Sequence, residues 1–587
     1  MKKILLICLS AALSLSSCEN MFEPEIDNNL ELENAYGNAM YAQGLLLNGY
    51  TRLPTNSLSF NDVATDDAVT NDKSSSFLKV ATGQWTAINN PLDQWRNSRA
   101  AIQYINLFLT LTDSVKWTND ENINKMFTDR MNGEAYGLRA LFTFYLLQSH
   151  AGKAANGELL GVPLLLEPET VNSDFNKPRA SFEQCIEQIY SDLDKAEELL
   201  PLDFEAIGSD AQVPAKYSGM GKDNYNRVFG DNFRGRMTAR IAKGIRVKAA
   251  LLAASPAYNS AGDAAKWAKA ANSAADLISL KGGLSTLTDK DLKWYDKDVV
   301  DGLASGVNPG EILWRNNIGT NNDLERNNFP PTLYGNGRVN PTQNLVDAFP
   351  MANGYPISDQ VNSGYNASSP YENRDPRLKL FILVNGSTAG TAGTVINTAV
   401  DGGTNDGLNK VETSTRTGYY LRKLLRQDVN LNPSSTTTQK HLTAHIRYTE
   451  IYLAYAEAAN EAWGPTGTGG NAFSAYDVIK AIRTRAGVGT SNGDPYLESV
   501  KGDKEAMRAL IRNERRLELC FEGFRFWDLR RWNANLNETA QGVSISNGNN
   551  YSIINVENRT YKDYMNYGPI PDSETLKYTN LLQNRGW

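Results

Sequence analysis

RYTEIYLAYAEAANEAWGPTGTGGNAFSAYDVIKAIRTRA, residues 447–486, reads as two helical patterns joined by a Gly/Pro-rich turn. Apolar residues recur three and four apart from Arg447 to Trp463, and again from Ala472 to Ala486. Between them GPTGTGG cannot continue a helix. The whole is about the length of one tetratricopeptide unit. Working outward, the same couple recurs three times. Leu30 to Arg52 is followed by Leu92 to Leu111. Asn124 to His150 is followed by Ser181 to Leu200, stopped by Pro201. Arg236 to Ala254 is followed by Asp263 to Leu280, stopped by Gly282-Gly283. Small residues let two antiparallel helices approach closely, so Ala249, Ala250, Ala253 and Ala254 are expected to face Ala264, Ala265, Ala268 and Ala271. The fold class expected is mainly α, an array of helix pairs.

Two long insertions interrupt the array. Leu53 to Pro91 is rich in Asn, Asp, Ser and Thr. Ser285 to about His441 carries strand-like pieces at Glu311 to Ile318, Leu378 to Val384 and Tyr419 to Leu425. A third non-helical stretch follows Trp532. Long loops on a rigid scaffold are where function concentrates.

The chain begins MKKILLICLSAALSLSSC. Lys2 and Lys3 precede an apolar run of about a dozen residues, the size of a signal-peptide core and too short to span a bilayer. Leu15-Ser16-Ser17-Cys18 resembles the lipobox of bacterial lipoproteins, which implies lipidation of Cys18 and a mature chain that starts there. Such acyl chains exceed the two-signal threshold for stable anchoring. Glu19, Glu23, Glu25 and Asp27 resemble a surface-export signal of Bacteroidetes lipoproteins, although a solvated polar leader would look the same. The net charge is −7. It becomes more negative when Lys2 and Lys3 leave, which argues against nucleic acid. Of four cysteines, only Cys185 and Cys520 lie beyond Cys18. Two buried free thiols are expected, with a disulfide between them as the alternative.

IRNERRLELCFEGFRFWDLRRW, residues 511–532, puts Leu510, Glu514, Leu517 and Phe521 on one helical face, ended by Gly523. A Glu on an apolar face needs a partner, and Arg515, Arg516, Arg525 and Arg530 are near in sequence. A buried structural ion network is expected there, with Phe524, Phe526, Trp527 and Trp532 packing beyond it. This stretch resembles the hallmark of the SusD/RagB family of outer-membrane nutrient-binding lipoproteins. Other blocks resemble the family in the same order: Trp95-Arg96 with Ala101-Ile102 and Asn106 to Leu109; Glu134-Ala135 with Leu138 to Ala140 and then Gly161 to Leu164; Asn340 to Phe349 before Asn353-Gly354, where the family more often has Asp-Gly; Arg374-Asp375-Pro376-Arg377-Leu378; Arg447 to Glu450 with Tyr455 to Ala458; and Tyr567 to Pro571.

The resemblance implies a right-handed superhelix of tetratricopeptide-like pairs with a less regular region packed on it. It implies a partner, a SusC-like TonB-dependent outer-membrane transporter over which the lipoprotein sits as a lid. It implies a lipid-anchored cell-surface protein that captures oligosaccharides for that transporter, or peptides in the RagB branch. A scaffold that binds no small ligand is the reading from another class. The organisation expected is a signal peptide over 1–17, a helical region over 18–284 with the 53–91 insertion, and a region over 285–587 with the 285–441 insertion and the 447–486 pair.

No catalytic constellation stands out: there is no nucleophile elbow, phosphate loop or Cys-x-x-Cys pair. The chain is expected to be no enzyme and to need no cofactor. His441 and His445 are four apart, but no Glu follows the first, so a surface pair is expected rather than zinc. Asp296, Asp298 and Asp301-Gly302 miss calcium-loop spacing by one. A pyranose needs an aromatic plane plus amide, Arg or carboxylate partners. Trp85 with Asn89 and Asn90, in the first insertion, meets that need. So do Phe329, Tyr334 and Arg338 in the second, with Tyr334 flanked by Gly335 and Gly337. Trp95 and Trp314 are expected in the core, and Trp294-Tyr295 is a weaker candidate pair.

Overall fold

The computed structural model describes residues 38–54 and 60–587. The signal segment, Cys18 and the acidic residues after it lie outside them. Helix α1 spans Ala39–Thr51, α2 Trp95–Leu111, α3 Glu121–His150, α4 Phe182–Leu199, α5 Ala239–Ala254 and α6 Ala264–Lys281. Farther on come α7 Asp323–Asn328, α8 Pro376–Phe381, α9 Tyr448–Trp463, α10 Ala475–Arg485, α11 Lys504–Glu518 and α12 Arg525–Arg531. The long helices match the periodic segments, the first of them from Ala39 because residues 30–37 lie outside the described ones, and their ends carry caps. Asp120 accepts from the amides of Asn122 and Ile123 to start α3. Ser181 with Gln184, and Ser474 with Asp477, make capping boxes for α4 and α10. Gly282, at φ 111°, takes the left-handed turn that ends α6.

The helices pack as consecutive pairs, α1 on α2, α3 on α4 and α5 on α6, and α6 also lies against α9. The alanine seam differs from the sequence reading. On α5, Ala249, Ala250, Ala253 and Ala254 are buried as expected. On α6, Ala264 and Ala265 are exposed and Ala268 half-buried. Trp267 takes the first inward position, and Ala270, Ala271, Ala274 and Ala275 form the seam.

The strands are short antiparallel pairs. They include β1 Ala68–Thr70, β2 Ile312–Arg315, β3 Gly319–Asn321, β4 Val339–Pro341, β5 Ile382–Leu383, β6 Tyr420–Leu421, β7 Gln439–His441, β8 Ala444–Arg447, β9 Ala540–Ser546 and β10 Asn550–Glu557. β1 pairs with β4, β2 with β8, β3 with β7, β5 with β6, and β9 with β10 in a hairpin. The piece expected as a strand over Leu378 to Val384 is mostly α8. Asp375 caps it and Pro376 fits its first turn, so only Ile382–Leu383 is extended.

Glu514 is fully buried, but not with the arginines near it in sequence. Its carboxylate receives Arg377 Nη1 at 2.8 Å and Arg483 Nη1 at 2.8 Å. Burial alone would raise its pKa, yet the two guanidinium groups hold the carboxyl below the ordinary glutamate value. Arg515 instead pairs with Asp528, Arg516 with Asp66 and Asp67, and Arg525 with Asp66. Among the described residues Arg530 has no carboxylate partner; its guanidinium lies over the Phe526 ring at 3.4 Å. Arg377 also reaches Asp375 and Glu518, and Arg485 meets Glu518 at 2.8 Å. The network thus rivets the last helical pair and α11 to the second insertion. Cys185 and Cys520 are buried free thiols.

Candidate functional site

The two insertions meet. β1, from the first, pairs with β4, from the second, in the register Ala68 to Pro341. The Thr342 amide donates to the Asp67 carbonyl at 2.9 Å, which fixes the joint. Beside it lies a cavity of about 540 Å³, walled by both insertions. Phe60 and Phe77, half-buried, come from the first. Asn317, Asn327 and Arg338 come from the second. The Asn317 and Asn327 side chains are exposed and make no hydrogen bond among the described residues. Arg338 Nη1 donates to Asn71 Oδ1 at 3.3 Å, which steadies the guanidinium and leaves its other N–H groups available. Asp72 accepts from the Ser74 hydroxyl and amide, and these bonds hold its carboxyl below the ordinary value, an ionised acceptor at the rim. His441 closes the far wall, with Nδ1 at 2.9 Å from the Gln439 carbonyl and Nε2 at 3.0 Å from Glu325 Oε1. Half-buried rings, unengaged amides, a guanidinium and a carboxylate in one cavity suit a neutral polyhydroxylated ligand.

The short helix α7 divides this cavity from a ledge on its other side. Asn327 and Asn328 line the cavity, whereas Arg326 lines the ledge with Tyr334, Asn405 and Thr436. Tyr334 is 56% exposed and sits at φ +64°, a left-handed conformation that a bulky side chain adopts at a cost. Its surroundings over-determine that conformation. The Tyr334 amide donates to the Pro331 carbonyl at 2.8 Å, and the Gly337 amide to the Phe329 carbonyl at 3.0 Å. A Cβ on Gly335 would lie 2.1 Å from the Phe329 carbonyl oxygen, so only glycine fits beside it. Asp406 Oδ1 receives the Thr332 amide at 2.8 Å from below, and burial pushes that carboxyl up from its ordinary value. The loop therefore presents one ring, rigidly, to solvent.

Of the six residues expected to contact ligand, the structure brings Arg338 and Tyr334 to the two sides of α7 and separates the rest. Trp85 is 2% exposed. It packs edge-on between Phe526 and Trp587, and its Nε1 donates to Asn90 Oδ1 at 2.9 Å. Asn90 is thereby an internal partner, also receiving the Leu92 amide. Asn89 is exposed, its amide directed to the Gln84 carbonyl, and it lines neither the cavity nor the ledge. Phe329 is 1% exposed, in the core beneath the loop. Trp85 and Phe329 are corrections: both are plugs that hold an insertion to the scaffold. Trp294 and Tyr295 are buried, as are Trp95 and Trp314. Phe60, Phe77, Asn317 and Asn327 escaped the sequence reading, and His441 enters it only as half of a surface pair. The amide-rich run from Asn316 to Asn328 was the available signal for the asparagines.

His441 and His445 do not form a surface pair on a helix. They lie on β7 and β8, one beside Glu325 and the other with its ring 4.8 Å from that of Trp314. Asp301, of the calcium-like triplet, is engaged by Arg426 at 3.0 Å. Among the described residues no three His, Cys, Asp or Glu side chains are grouped to hold a metal ion, and no helix is long and apolar enough to cross a membrane.

Two family models match the chain. The model described as SusD family matches residues 311–587, and that described as starch-binding associating with outer membrane matches residues 16–220. SusD-like protein P38 of Formosa agariphila is 35% identical over 106 residues, which is 18% of this chain and 19% of that relative's length. Among solved structures, a SusD-like protein from Bacteroides fragilis superposes with TM-score 0.71 at 23% identity, covering 94% of this chain and 98% of that one. A SusD-like carbohydrate-binding protein from the same species gives TM-score 0.68 at 21% identity over 93% and 99%. At these identities the likeness of the solved structures speaks for the fold.

Proposed function

We propose, from the premise that this chain belongs to the SusD family, that it is a lipid-anchored cell-surface protein that captures oligosaccharides between its two insertions and passes them to a SusC-like TonB-dependent transporter. It is a carbohydrate-binding protein and not an enzyme. The observation that carries the reading is the meeting of both long insertions around one cavity of about 540 Å³, where half-buried Phe60 and Phe77 face the open amides of Asn317 and Asn327 and the Arg338 guanidinium. Rings can stack on the C–H faces of a pyranose while the amides and guanidinium take its hydroxyls. Tyr334, across α7, offers a second plane for the neighbouring part of a longer chain. The anchor rests on Leu15-Ser16-Ser17-Cys18. The family description as associating with outer membrane supports the location.

Calorimetry of the mature chain against a panel of neutral oligosaccharides tests the site. Arg338→Ala should weaken binding by about 1.5–3 kcal/mol, the range for hydrogen bonds to a charged group, with little change in melting temperature. Unchanged affinity in Arg338→Ala and in Asn327→Ala would remove this cavity from the binding function. Binding of peptides and of no oligosaccharide would replace the carbohydrate reading by the peptide one.

A further inference from the structure

A second cavity, of about 310 Å³, adjoins the first across Phe77 and Thr443, which line both. It lies between the helical scaffold (α3, α5) and the segment from Arg515 to Arg531. Its ionic groups are already matched. Lys248 pairs with Glu450, Arg515 with Asp528, Arg531 with Glu457 and Arg447 with Glu522. What remains open is one donor and one acceptor on groups that are already ion-paired, together with neutral side chains. Arg515 is 3% exposed and Glu450 4% exposed, yet among the described residues Arg515 Nη1 and Glu450 Oε2 have no hydrogen-bond partner. The Tyr145 hydroxyl and the Gln148 amide, also in the lining, make no hydrogen bond among the described residues. Burial, with Lys248 adding to it, pushes the neighbouring His445 imidazole down to about 4, so it stands neutral at pH 7. The half-buried rings of Phe524 and Trp527 supply apolar planes.

Leaving buried donors and acceptors unmatched costs free energy, and each such group in a folded protein calls for an occupant. The occupant must offer donors and acceptors together, carry no net charge and have an apolar face. A charged ligand would face ion pairs with nothing left over to neutralise it. A volume at the lower end of ligand pockets suits one small ring.

We propose that this inner cavity is a second binding site, for a single neutral monosaccharide, distinct from the outer oligosaccharide site. Gln148 and Tyr145 are its specificity-determining residues. Because neither side chain is hydrogen-bonded to the protein, Tyr145→Phe and Gln148→Leu remove binding capacity without removing an internal contact. The proposal stands apart from the outer site, although both readings concern sugars.

The test is titration of the mature chain with a panel of free neutral hexoses, pentoses and deoxyhexoses, followed by ligand-observed NMR and calorimetry. At least one sugar should bind, and the Tyr145→Phe/Gln148→Leu double variant should lose at least tenfold in affinity for it. Its melting temperature should be no lower than that of the wild type. Binding of no panel sugar at millimolar concentration would overturn the proposal, the cavity then holding water alone. Equal affinity in the double variant would also overturn it, as would binding confined to an acidic sugar or an amino acid. Loss of oligosaccharide binding in Arg338→Ala, read separately, bears only on the outer site.

Discussion

Arg377 Nη1 lies 2.8 Å from Glu514 Oε2 across 137 positions of sequence, and neither side chain has any exposure to solvent. The contact joins the turn that opens α8 to the middle of α11, so a loop-rich insertion and a helical scaffold share one buried charge network. Glu514→Ala would leave Arg377 and Arg483 each short of a carboxylate oxygen in a medium that solvates them poorly. A loss of roughly 3–5 kcal/mol is expected, the range for breaking a buried pair by removing one partner. Thermal unfolding followed by circular dichroism measures it. A melting temperature equal to that of the wild type, with ligand binding lost, would make Glu514 a functional residue.

Trp85 should behave as core. Its ring is enclosed by Phe526 and Trp587, with the Arg530 guanidinium 5.1 Å above it. Trp85→Ala is expected to cost about 3–5 kcal/mol of stability through the cavity it opens. In whatever fraction stays folded, sugar affinity should be unchanged. A variant that melts normally but binds sugar more weakly would return Trp85 to the binding surface.

Tyr334 should show stability and function moving in opposite directions. Relief of the left-handed backbone in Tyr334→Gly is worth about 1 kcal/mol before the added chain freedom of glycine is set against it. The variant should therefore melt no lower than the wild type. Removing an exposed stacking ring should weaken binding of longer oligosaccharides by about 1–3 kcal/mol, the range seen for ring stacking on bases. Shorter oligosaccharides, confined to the cavity, should be indifferent. If short and long chains are affected alike, the ledge is not a separate subsite.

Asp62 gives a pH dependence with a definite sign. Burial, reinforced by the nearby Asp67, pushes its carboxyl up to about 7. The folded chain therefore holds this proton more tightly than the unfolded chain does. Its contribution is most favourable below the ordinary carboxylate value, declines as pH rises towards 7, and is flat above. Asp62→Asn imitates the protonated form and can still accept from the Phe521 amide. The variant should melt above the wild type at pH 8, by up to about 4 kcal/mol of stability, and alongside it at pH 4. A gap of the same size at both pH values would mean that Asp62 does not titrate in this way.

Anchoring through Cys18 predicts that Cys18→Ala leaves the chain unlipidated and frees it from the membrane fraction. The fractionation should be done in cells lacking the partner transporter, with a high-salt wash. Retention of the variant in the membrane under those conditions would place the anchor elsewhere.

The helix pairs could be read from sequence because their information is local. Ser181, Pro201, Asp263 and Gly282 mark ends within one turn of the apolar stripes they bound. The β9–β10 hairpin was not legible, since Asn550–Glu557 is mostly exposed or half-exposed and carries no clean alternation. Glu514 could be read as buried and paired, but not with whom, because Arg377 and Arg483 arrive from other elements. The same distance problem governs the site. Tyr334 announced itself through flanking glycines, which fix backbone conformation locally. Trp85 gave a false signal, since what buries it is Trp587, at the other end of the chain. Phe60 and Phe77 become walls of a cavity only when β1 finds β4, and nothing in either insertion alone says that it will.

The last residues lock back onto the second helical pair. Asn584 Nδ2 donates to the carbonyls of His150 and Gly568, and Arg179 reaches both Asn584 and the Leu582 carbonyl. At the other end, Asp66 waits for Arg516 and Arg525, some 450 positions later. The order in which the chain appears therefore matters. As an exported chain emerges from translocation with its N-terminal end first, α1 to α6 can assemble among themselves, but the seats of Asp66, His150 and Trp85 stay empty until the final segment emerges. Pairings of such long sequence separation form slowly. Until then the nascent chain carries open polar and aromatic seats, which makes its last stage the one most exposed to proteolysis and to the helpers that attend unfinished proteins.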